Sequence, residues 1–146
     1  MFRVLFIAVV VALCCWVAFS GKTKNKVIFT PHAPKPIGPY SQAILSGGTL
    51  FVSGQIGLNN EGLLDTSNIE NECRQALNNI QKIVEAAGMK LSEVRKSTIY
   101  CTDLKNFSKI NAVYSSYFRE DPPARETVEV KALPKGAHVE ISVIAN

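Results

Sequence analysis

Residues 67 to 87 carry apolar side chains at helical spacing, and no other feature of the sequence constrains the fold as strongly. Ser67 with Glu70 has the form of a capping box, and Gly88 provides a natural end to the helix. The apolar positions recur every three or four residues and would form one stripe: Ile69, Cys73, Ala76, Leu77, Ile80, Ile83, Val84 and Ala87. The pattern therefore predicts a long amphipathic helix that covers an apolar surface.

A second helix is predicted over residues 106 to 119, and strand-like segments surround both helices. The tripeptide Ser46-Gly47-Gly48 separates two apolar runs and is a hairpin signal. The element order is β-β-β-α-β-α-β-β, which indicates an α+β sandwich of two layers with both helices on one face of a mixed sheet. The first strand begins before residue 31, and the other predicted strands are 42 to 45, 49 to 53, 94 to 102, 126 to 132 and 138 to 145.

The start of the chain differs in composition from the rest. Arg3 precedes an apolar run from Val4 to Phe19, and Ala18 and Ser20 are small residues of the kind found at cleavage sites. These features predict a signal peptide over residues 1 to 20 and a protein that is secreted or enters the secretory pathway. Delivery through that pathway to an organelle is one alternative, and an uncleaved membrane anchor is another.

The remaining residues would form a basic tail with the start of the first strand, at 21 to 30, and a single domain at 31 to 146. Loss of Arg3 with the leader would leave 15 of the 16 basic residues against all 12 acidic ones. That balance is too mild and too scattered to indicate a partner nucleic acid. A membrane partner is expected only if the leader stays uncleaved.

Two cysteines and two histidines remain beyond the leader. Cys73 and Cys101 have no metal-ligand spacing and fall on apolar faces, so two buried thiols are favoured over a single disulfide bridge. His32 and His138 are distant in sequence from each other and from the cysteines. No metal site is therefore expected.

Arg125 and Glu140 are the charged residues that an ordinary solvated surface explains least well. A corner of prolines at Pro122 and Pro123 restricts Arg125, and Glu140 lies between apolar Val139 and Ile141. If the valines of the last two strands face the helices, the intervening side chains share the uncovered face of the sheet: Arg125, Thr127, Glu140 and Ser142. A solvated face with ordinary charges is the simpler interpretation.

A sheet face with so little charge is often covered by another subunit. In a groove between subunits, Arg125 could clamp a carboxylate in bidentate fashion. Glu140, with a nearby hydroxyl group, could hold or deprotonate a water molecule.

Several motifs occur in the order and spacing of the Rid family, in the RidA-like branch that is also called YjgF. The resemblance extends over nearly all residues from Val27 to Ala145, and only the leader falls outside it. The motifs are Gly38-Pro39-Tyr40-Ser41-Gln42-Ala43, Val52-Ser53-Gly54-Gln55, Val84-Glu85-Ala86-Ala87-Gly88, Pro123-Ala124-Arg125 with Val128-Glu129-Val130, and Val139-Glu140-Ile141. The sequence is thus identified as a member of that family.

The resemblance implies a chorismate-mutase-like fold that assembles as a homotrimer with a cleft at each subunit interface. It also implies hydrolysis of reactive 2-imino and enamine acids, which pyridoxal-phosphate enzymes produce, to 2-oxo acids and ammonia. The expected small-molecule partners are therefore 2-imino acids, such as 2-iminobutanoate and 2-iminopropanoate, and the corresponding 2-oxo acids. A protonated imine is already a strong electrophile, so no metal or cofactor is expected.

By position, Arg125 resembles the arginine that binds the substrate carboxylate, and Glu140 the glutamate that orients the attacking water. The resemblance also places further residues in the cleft: Tyr40, Ser53, the backbone of Gly54, Asn111 and Thr127, the last at a position where some relatives have cysteine. Without the family match, Tyr40 would be a packing aromatic and Ser53 the end of a strand. Asn111 would equally well satisfy backbone groups within the second helix.

Two other functions compete with the deaminase. Some family members are described as ribonucleases or inhibitors of translation, but the sequence has no paired histidines and no basic groove signal. A trimer that binds small acids or partner proteins without turnover is the third hypothesis, and the leader motivates it.

Overall fold

A mixed sheet with two helices on one face forms the domain in the computed structural model, which describes residues 24 to 146. The sheet has six strands in the order β1-β2-β3-β6-β4-β5. The strands are β1 Lys26–Ile28, β2 Ala43–Ser46, β3 Thr49–Ile56, β4 Val94–Cys101, β5 Ala124–Glu129 and β6 Val139–Ala145, and the helices are α1 Ile69–Ala86 and α2 Phe107–Tyr117. This architecture confirms the predicted α+β fold and the predicted element order. The signal peptide predicted at 1 to 20 lies outside the described residues.

Helix α1 buries the apolar stripe that the sequence predicts. Its residues Cys73, Ile80 and Val84 are wholly buried against the sheet. The N-terminal cap differs from the prediction, because Asn68 rather than Ser67 precedes the helix and its side-chain oxygen accepts the Asn71 N–H at 2.8 Å. The predicted capping box of Ser67 and Glu70 is therefore wrong, since the first helical turn begins one residue later than that box requires.

The hairpin between β2 and β3 is confirmed. Ser46 pairs with Thr49, and the intervening Gly47 and Gly48 have φ values of 58° and 84°. Both values lie in the left-handed region that a tight primed turn requires and that glycine adopts without strain.

All neighbouring strands are antiparallel except β4 and β5, which are parallel and are connected through α2. A parallel pair needs a crossover, and α2 provides it while packing on the same face of the sheet as α1. Strand β5 therefore lies at one edge of the sheet, directly beside the helix that precedes it in the chain.

The faces of β5 are opposite to those predicted. Arg125 pairs with buried Ser97, whereas Val128 is 42% exposed. Thr127 likewise pairs with buried Ile99, so Arg125 and Thr127 point toward the helices. The prediction that these two residues share the uncovered face with Glu140 is wrong, because at an edge strand the valine side need not be the buried side. The predicted strand range of 126 to 132 is also wrong, since β5 spans Ala124–Glu129.

A buried carboxylate connects α1 to the start of β6. Glu72 is wholly buried, and its Oε1 accepts the backbone N–H groups of His138 at 2.6 Å and Val139 at 3.1 Å. Its Oε2 lies 3.0 Å from Nδ1 of His138. These contacts compensate for the burial of the carboxylate and fix the place where β6 begins, one residue before Glu140.

The two cysteines of the described residues are free and buried, as the sequence predicts. Burial raises the pKa of the Cys73 thiol to about 12. The thiol is therefore neutral at physiological pH and behaves as an apolar core group.

Candidate functional site

A pocket of about 280 Å³ opens on the face of the sheet that the helices leave uncovered. Four of the predicted site residues line it together: Tyr40, Ser53, Gly54 and Glu140. The pocket wall also includes Lys35, three apolar residues of the proline-rich loop at residues 31 to 39, and three apolar residues around that loop: Pro34, Pro36, Ile37, Ile56, Leu58 and Pro134. One half of the predicted site is thus assembled within a single protomer.

A bulge in β3 shapes the floor of this pocket. Val52 pairs with Val143 and Gln55 with Ile141, so three residue steps on β3 oppose two on β6. The extra residue lies at Ser53 and Gly54, and such bulges redirect side chains and backbone groups locally. The side-chain amide of Gln55 donates to the carbonyl oxygens of Ser53 at 3.1 Å and Gly54 at 3.2 Å, which holds the bulge in place.

The Glu140 carboxyl lies directly over Gly54. A Cβ atom added to Gly54 would overlap Oε1 of Glu140, so only glycine leaves room for the carboxyl in this position. Burial raises the pKa of Glu140 above its ordinary value, because desolvation penalises the charged form. The ion pairs of the described residues do not involve Glu140, so no cation offsets this effect.

Ser53 and Tyr40 are held by the segment that precedes β2. The Ser53 hydroxyl donates to the carbonyl of Ser41 at 2.7 Å, and the Ser53 N–H donates to the carbonyl of Gln42 at 3.0 Å. The Tyr40 hydroxyl accepts the N–H of Ile37 at 3.1 Å. Both hydroxyl oxygens keep lone pairs for a ligand in the pocket.

Gln42 positions the proline-rich loop, a role that the sequence does not predict. It is 2% exposed, and its side-chain amide donates to the carbonyls of Thr30, Ala33 and Pro34 at 2.9 to 3.3 Å. Its Oε1 accepts the Thr30 N–H at 2.7 Å. Gln42 and Gln55 both belong to the family motifs given above, and their place in those motifs was the available signal.

The other predicted residues form a second group on the helix side of the sheet. The guanidinium carbon of Arg125 lies 4.7 Å from the ring centroid of Tyr114 and 5.9 Å from that of Phe107. Thr127 follows Arg125 on the same side of β5, and its buried hydroxyl has no hydrogen-bond partner among residues 24 to 146. Asn111 is half-buried on α2, four residues after Phe107 and three before Tyr114.

The two groups do not meet within one protomer. Glu140 pairs with Tyr100 and faces the uncovered side, whereas Arg125 is in register with Ser97 and through it with Val143 on the covered side. Directly paired residues point to the same face of a sheet, so Arg125 and Glu140 lie on opposite faces. Among residues 24 to 146, no cluster of three or more histidine, cysteine, aspartate or glutamate side chains could hold a metal ion.

Comparison with known proteins decides the family. The family described as Endoribonuclease L-PSP matches residues 30 to 146 of this chain. The chain belongs to the Rid family. An archaeal Rid relative, a RutC family protein from Pyrococcus horikoshii, is 50% identical over 122 residues, which cover 83% of this chain and 97% of the relative.

Other Rid proteins match over the same region. The 2-iminobutanoate/2-iminopropanoate deaminase of Bos taurus is 46% identical over 122 residues, covering 83% of this chain and 89% of that protein. The crystal structure of the yjgF gene product of Escherichia coli superposes with a TM-score of 0.79 at 40% identity, covering 82% of this chain and 97% of the bacterial one. The predicted family is confirmed, and with it the fold.

The prediction of a secreted protein is wrong, and so are its alternatives of delivery to an organelle and membrane anchoring. The archaeal and mammalian Rid relatives are named as RutC family proteins and imine deaminases, and none of these names indicates secretion. The prediction depended on the apolar run from Val4 to Phe19, which precedes the residues that the family matches. Within the described part of the chain, no helix is long and apolar enough to cross a membrane.

Proposed function

We propose that this protein hydrolyses reactive 2-imino acids, including 2-iminobutanoate and 2-iminopropanoate, to 2-oxo acids and ammonia. The observation that carries the proposal is the Glu140 carboxyl, which lies over the bulge at Gly54 in a pocket with two hydroxyl groups. Mammalian relatives that are 42 to 46% identical over 122 residues are named as deaminases of these two imino acids. A carboxylate with a raised pKa in a pocket is suited to general base and general acid steps.

In the proposed reaction, Arg125 binds the substrate carboxylate through two parallel N–H donors. Glu140 accepts a proton from a water molecule while the water oxygen adds to C2 of the protonated imine. The carbinolamine that results loses ammonia after the Glu140 carboxyl returns the proton to nitrogen. The electrons of the broken C–N bond leave with ammonia, the remaining hydroxyl proton is released, and the C2–O bond becomes the carbonyl of the 2-oxo acid.

Because Arg125 and Glu140 lie on opposite faces of the sheet within one protomer, the proposed reaction needs one residue from each of two copies at every site. Arg125 lies on the edge strand, and Glu140 lies on the open face of a central strand. Contact between these two different surfaces is head-to-tail, and such contacts close into rings when the rotation permits. We propose the homotrimer implied by the family resemblance, with one cleft at each interface.

An apolar row across the open face of the sheet supports this assembly. Val27 pairs with Ile44, Ile44 with Phe51, and Phe51 with Ile144, so the four side chains form a continuous row over four strands. Val27 is 61% exposed, Phe51 48% and Ile144 37%. An exposed apolar row of this kind indicates a protein interface, and a second copy of the same chain fits it.

The test of the proposed function is the Arg125→Ala variant. We expect it to lower kcat/KM for 2-iminobutanoate by about 100-fold or more, because the carboxylate loses its bidentate partner. The imine is generated by an amino-acid oxidase, and its disappearance is followed with and without the protein. Arg119→Ala is the matched control, since Arg119 is exposed and its Nε donates only to the carbonyl of Ser116.

An Arg125→Ala protein that keeps its assembly and the wild-type rate would contradict the proposal. The name of the matching family motivates a second assay, in which purified protein is incubated with RNA. RNA cleavage that disappears in Glu140→Gln would favour a ribonuclease instead. Binding of 2-oxobutanoate without any imine turnover would favour a protein that binds small acids.

A further inference from the structure

We propose that Phe107 and Tyr114 form an aromatic clamp that orients the guanidinium of Arg125 and thereby sets the affinity for the substrate carboxylate. The inference rests on the proposed function, and it assigns positioning roles to two residues that do not themselves react. The term aromatic clamp refers below to these two rings only.

The two rings face Arg125 from the same helix. Phe107 and Tyr114 are separated by seven residues, or about two helical turns, and therefore lie on one side of α2. The guanidinium carbon is 4.7 Å from the Tyr114 centroid and 5.9 Å from the Phe107 centroid, and both distances are within the range of cation–π contacts. Because α2 connects the parallel strands β4 and β5, the clamp lies directly beside the strand that carries Arg125.

Such contacts leave the functional edge of the arginine available. The donors of a guanidinium lie in its plane, whereas aromatic rings occupy its faces. The ion pairs of the described residues involve Lys96, Lys109 and His138, and none of them includes Arg125. The positive charge is thus held by neutral rings and remains uncompensated by any carboxylate of the described residues.

The two rings differ in burial and therefore in their contributions to the clamp. Tyr114 is 4% exposed and stacks on Phe118 with a centroid distance of 4.6 Å, so it forms a fixed support. Burial raises the pKa of the Tyr114 hydroxyl, which keeps the ring neutral and prevents a phenolate from competing for the arginine. Phe107 is 39% exposed and forms the outer wall of the clamp.

The experiment measures KM and kcat separately for substitutions that remove one ring. Phe107→Leu and Tyr114→Leu are expected to raise KM for 2-iminobutanoate by about tenfold. Without one ring, Arg125 is free to adopt several rotamers, and the entropy that it loses when it binds the carboxylate weakens substrate binding. We expect kcat to change by less than about twofold, since Glu140 and its pocket are untouched. Tyr114→Phe keeps the ring and is expected to retain the wild-type KM.

Ile110→Ala is the matched control for packing. Ile110 is a buried residue of the same helix, so its truncation would lower stability in a similar way to Tyr114→Leu while both rings of the clamp stay in place. We expect the KM of Ile110→Ala to remain within about twofold of the wild type. If Tyr114→Leu does not fold, Phe107→Leu still tests the clamp, because Phe107 is partly exposed.

The outcomes separate the clamp from the proposed function. A wild-type KM in Phe107→Leu, together with an inactive Arg125→Ala, would overturn the clamp and leave the deaminase proposal intact. Full activity of Arg125→Ala would contradict the deaminase proposal itself. A raised KM in Phe107→Leu, with a matching loss of affinity for 2-oxobutanoate by calorimetry, would support both.

Discussion

At the scale of single residues, the Glu140 carboxyl combines partial burial with a position over the backbone of Gly54. Burial raises its pKa above the ordinary value of 4.5. As a base it must be ionised, so kcat/KM should fall as the pH drops through this raised pKa. We expect an acidic limb in the pH profile at a pH above 4.5, measured with 2-iminobutanoate.

Protein stability provides the control for this prediction. A carboxyl whose pKa is raised by folding binds its proton more tightly in the folded state. Its stabilising contribution is therefore complete below the unfolded pKa and is lost as the pH rises through the folded pKa. Glu140→Gln should consequently gain melting temperature relative to the wild type at pH 7 but not at pH 4, while it loses activity. A flat pH profile between these two values, with the protein folded throughout, would contradict the assignment of Glu140.

At the scale of secondary-structure elements, two glycines at the end of β3 allow matched substitutions with different outcomes. In Gly54→Ala the new Cβ would meet the Glu140 carboxyl, which is the mobile end of a side chain. In Gly57→Ala it would lie 2.8 Å from the backbone oxygen of Glu72 and 2.6 Å from its Cγ, within rigid helix α1. We expect Gly54→Ala to lose activity with little change in stability, and Gly57→Ala to lose about 2 kcal/mol or more of stability.

Chemical denaturation and the imine assay distinguish the two variants. The reverse pattern, with Gly54→Ala active and Gly57→Ala as stable as the wild type, would show that neither close approach matters.

The elements also show which features the sequence could predict. Helix α1 and the hairpin at Gly47 and Gly48 follow from local periodicity and turn residues, whereas the pocket group around Glu140 was expected only from the family resemblance. The sequence does not predict which side chains of β5 point toward the helices, because an edge strand is partly exposed on both sides and its valines need not face the core.

The separation of the site into two groups was likewise hidden from the sequence. Alternation within a strand places Arg125 relative to Val128, but it cannot give the register of β5 on β4. The roles of Gln42 and Gln55 depend on hydrogen bonds to carbonyls of loops and bulges, which no periodicity reveals.

At the scale of the whole molecule, a ring with composite sites predicts that two inactive variants complement each other. In a mixed trimer of Arg125→Ala and Glu140→Gln subunits, one interface joins an intact Glu140 to an intact Arg125. Random mixing of equal amounts should therefore restore about a quarter of the wild-type rate, because about three quarters of trimers are mixed and each has one complete site. The measurement is imine turnover after the two variants are unfolded and refolded together.

Each variant refolded alone is the control for complementation and should stay near the uncatalysed rate. Absence of recovery in mixtures that sedimentation shows to be trimeric would place both residues in one subunit's site. Sedimentation of the wild-type protein as a monomer would contradict the proposed homotrimer itself.

The crossover from β4 through α2 to β5 has a consequence for how such a protein can diverge. Arg125, Asn111 and both rings of the clamp belong to one contiguous segment, Val94 to Glu129. Glu140, Ser53 and Gly54 come from other strands, β3 and β6. Under the proposed function, substitutions confined to the crossover could therefore change which acid is bound while Glu140, Ser53 and Gly54 stay unaltered. The proposed acid recognition and the proposed water activation would in this sense be separately inheritable parts of one small domain.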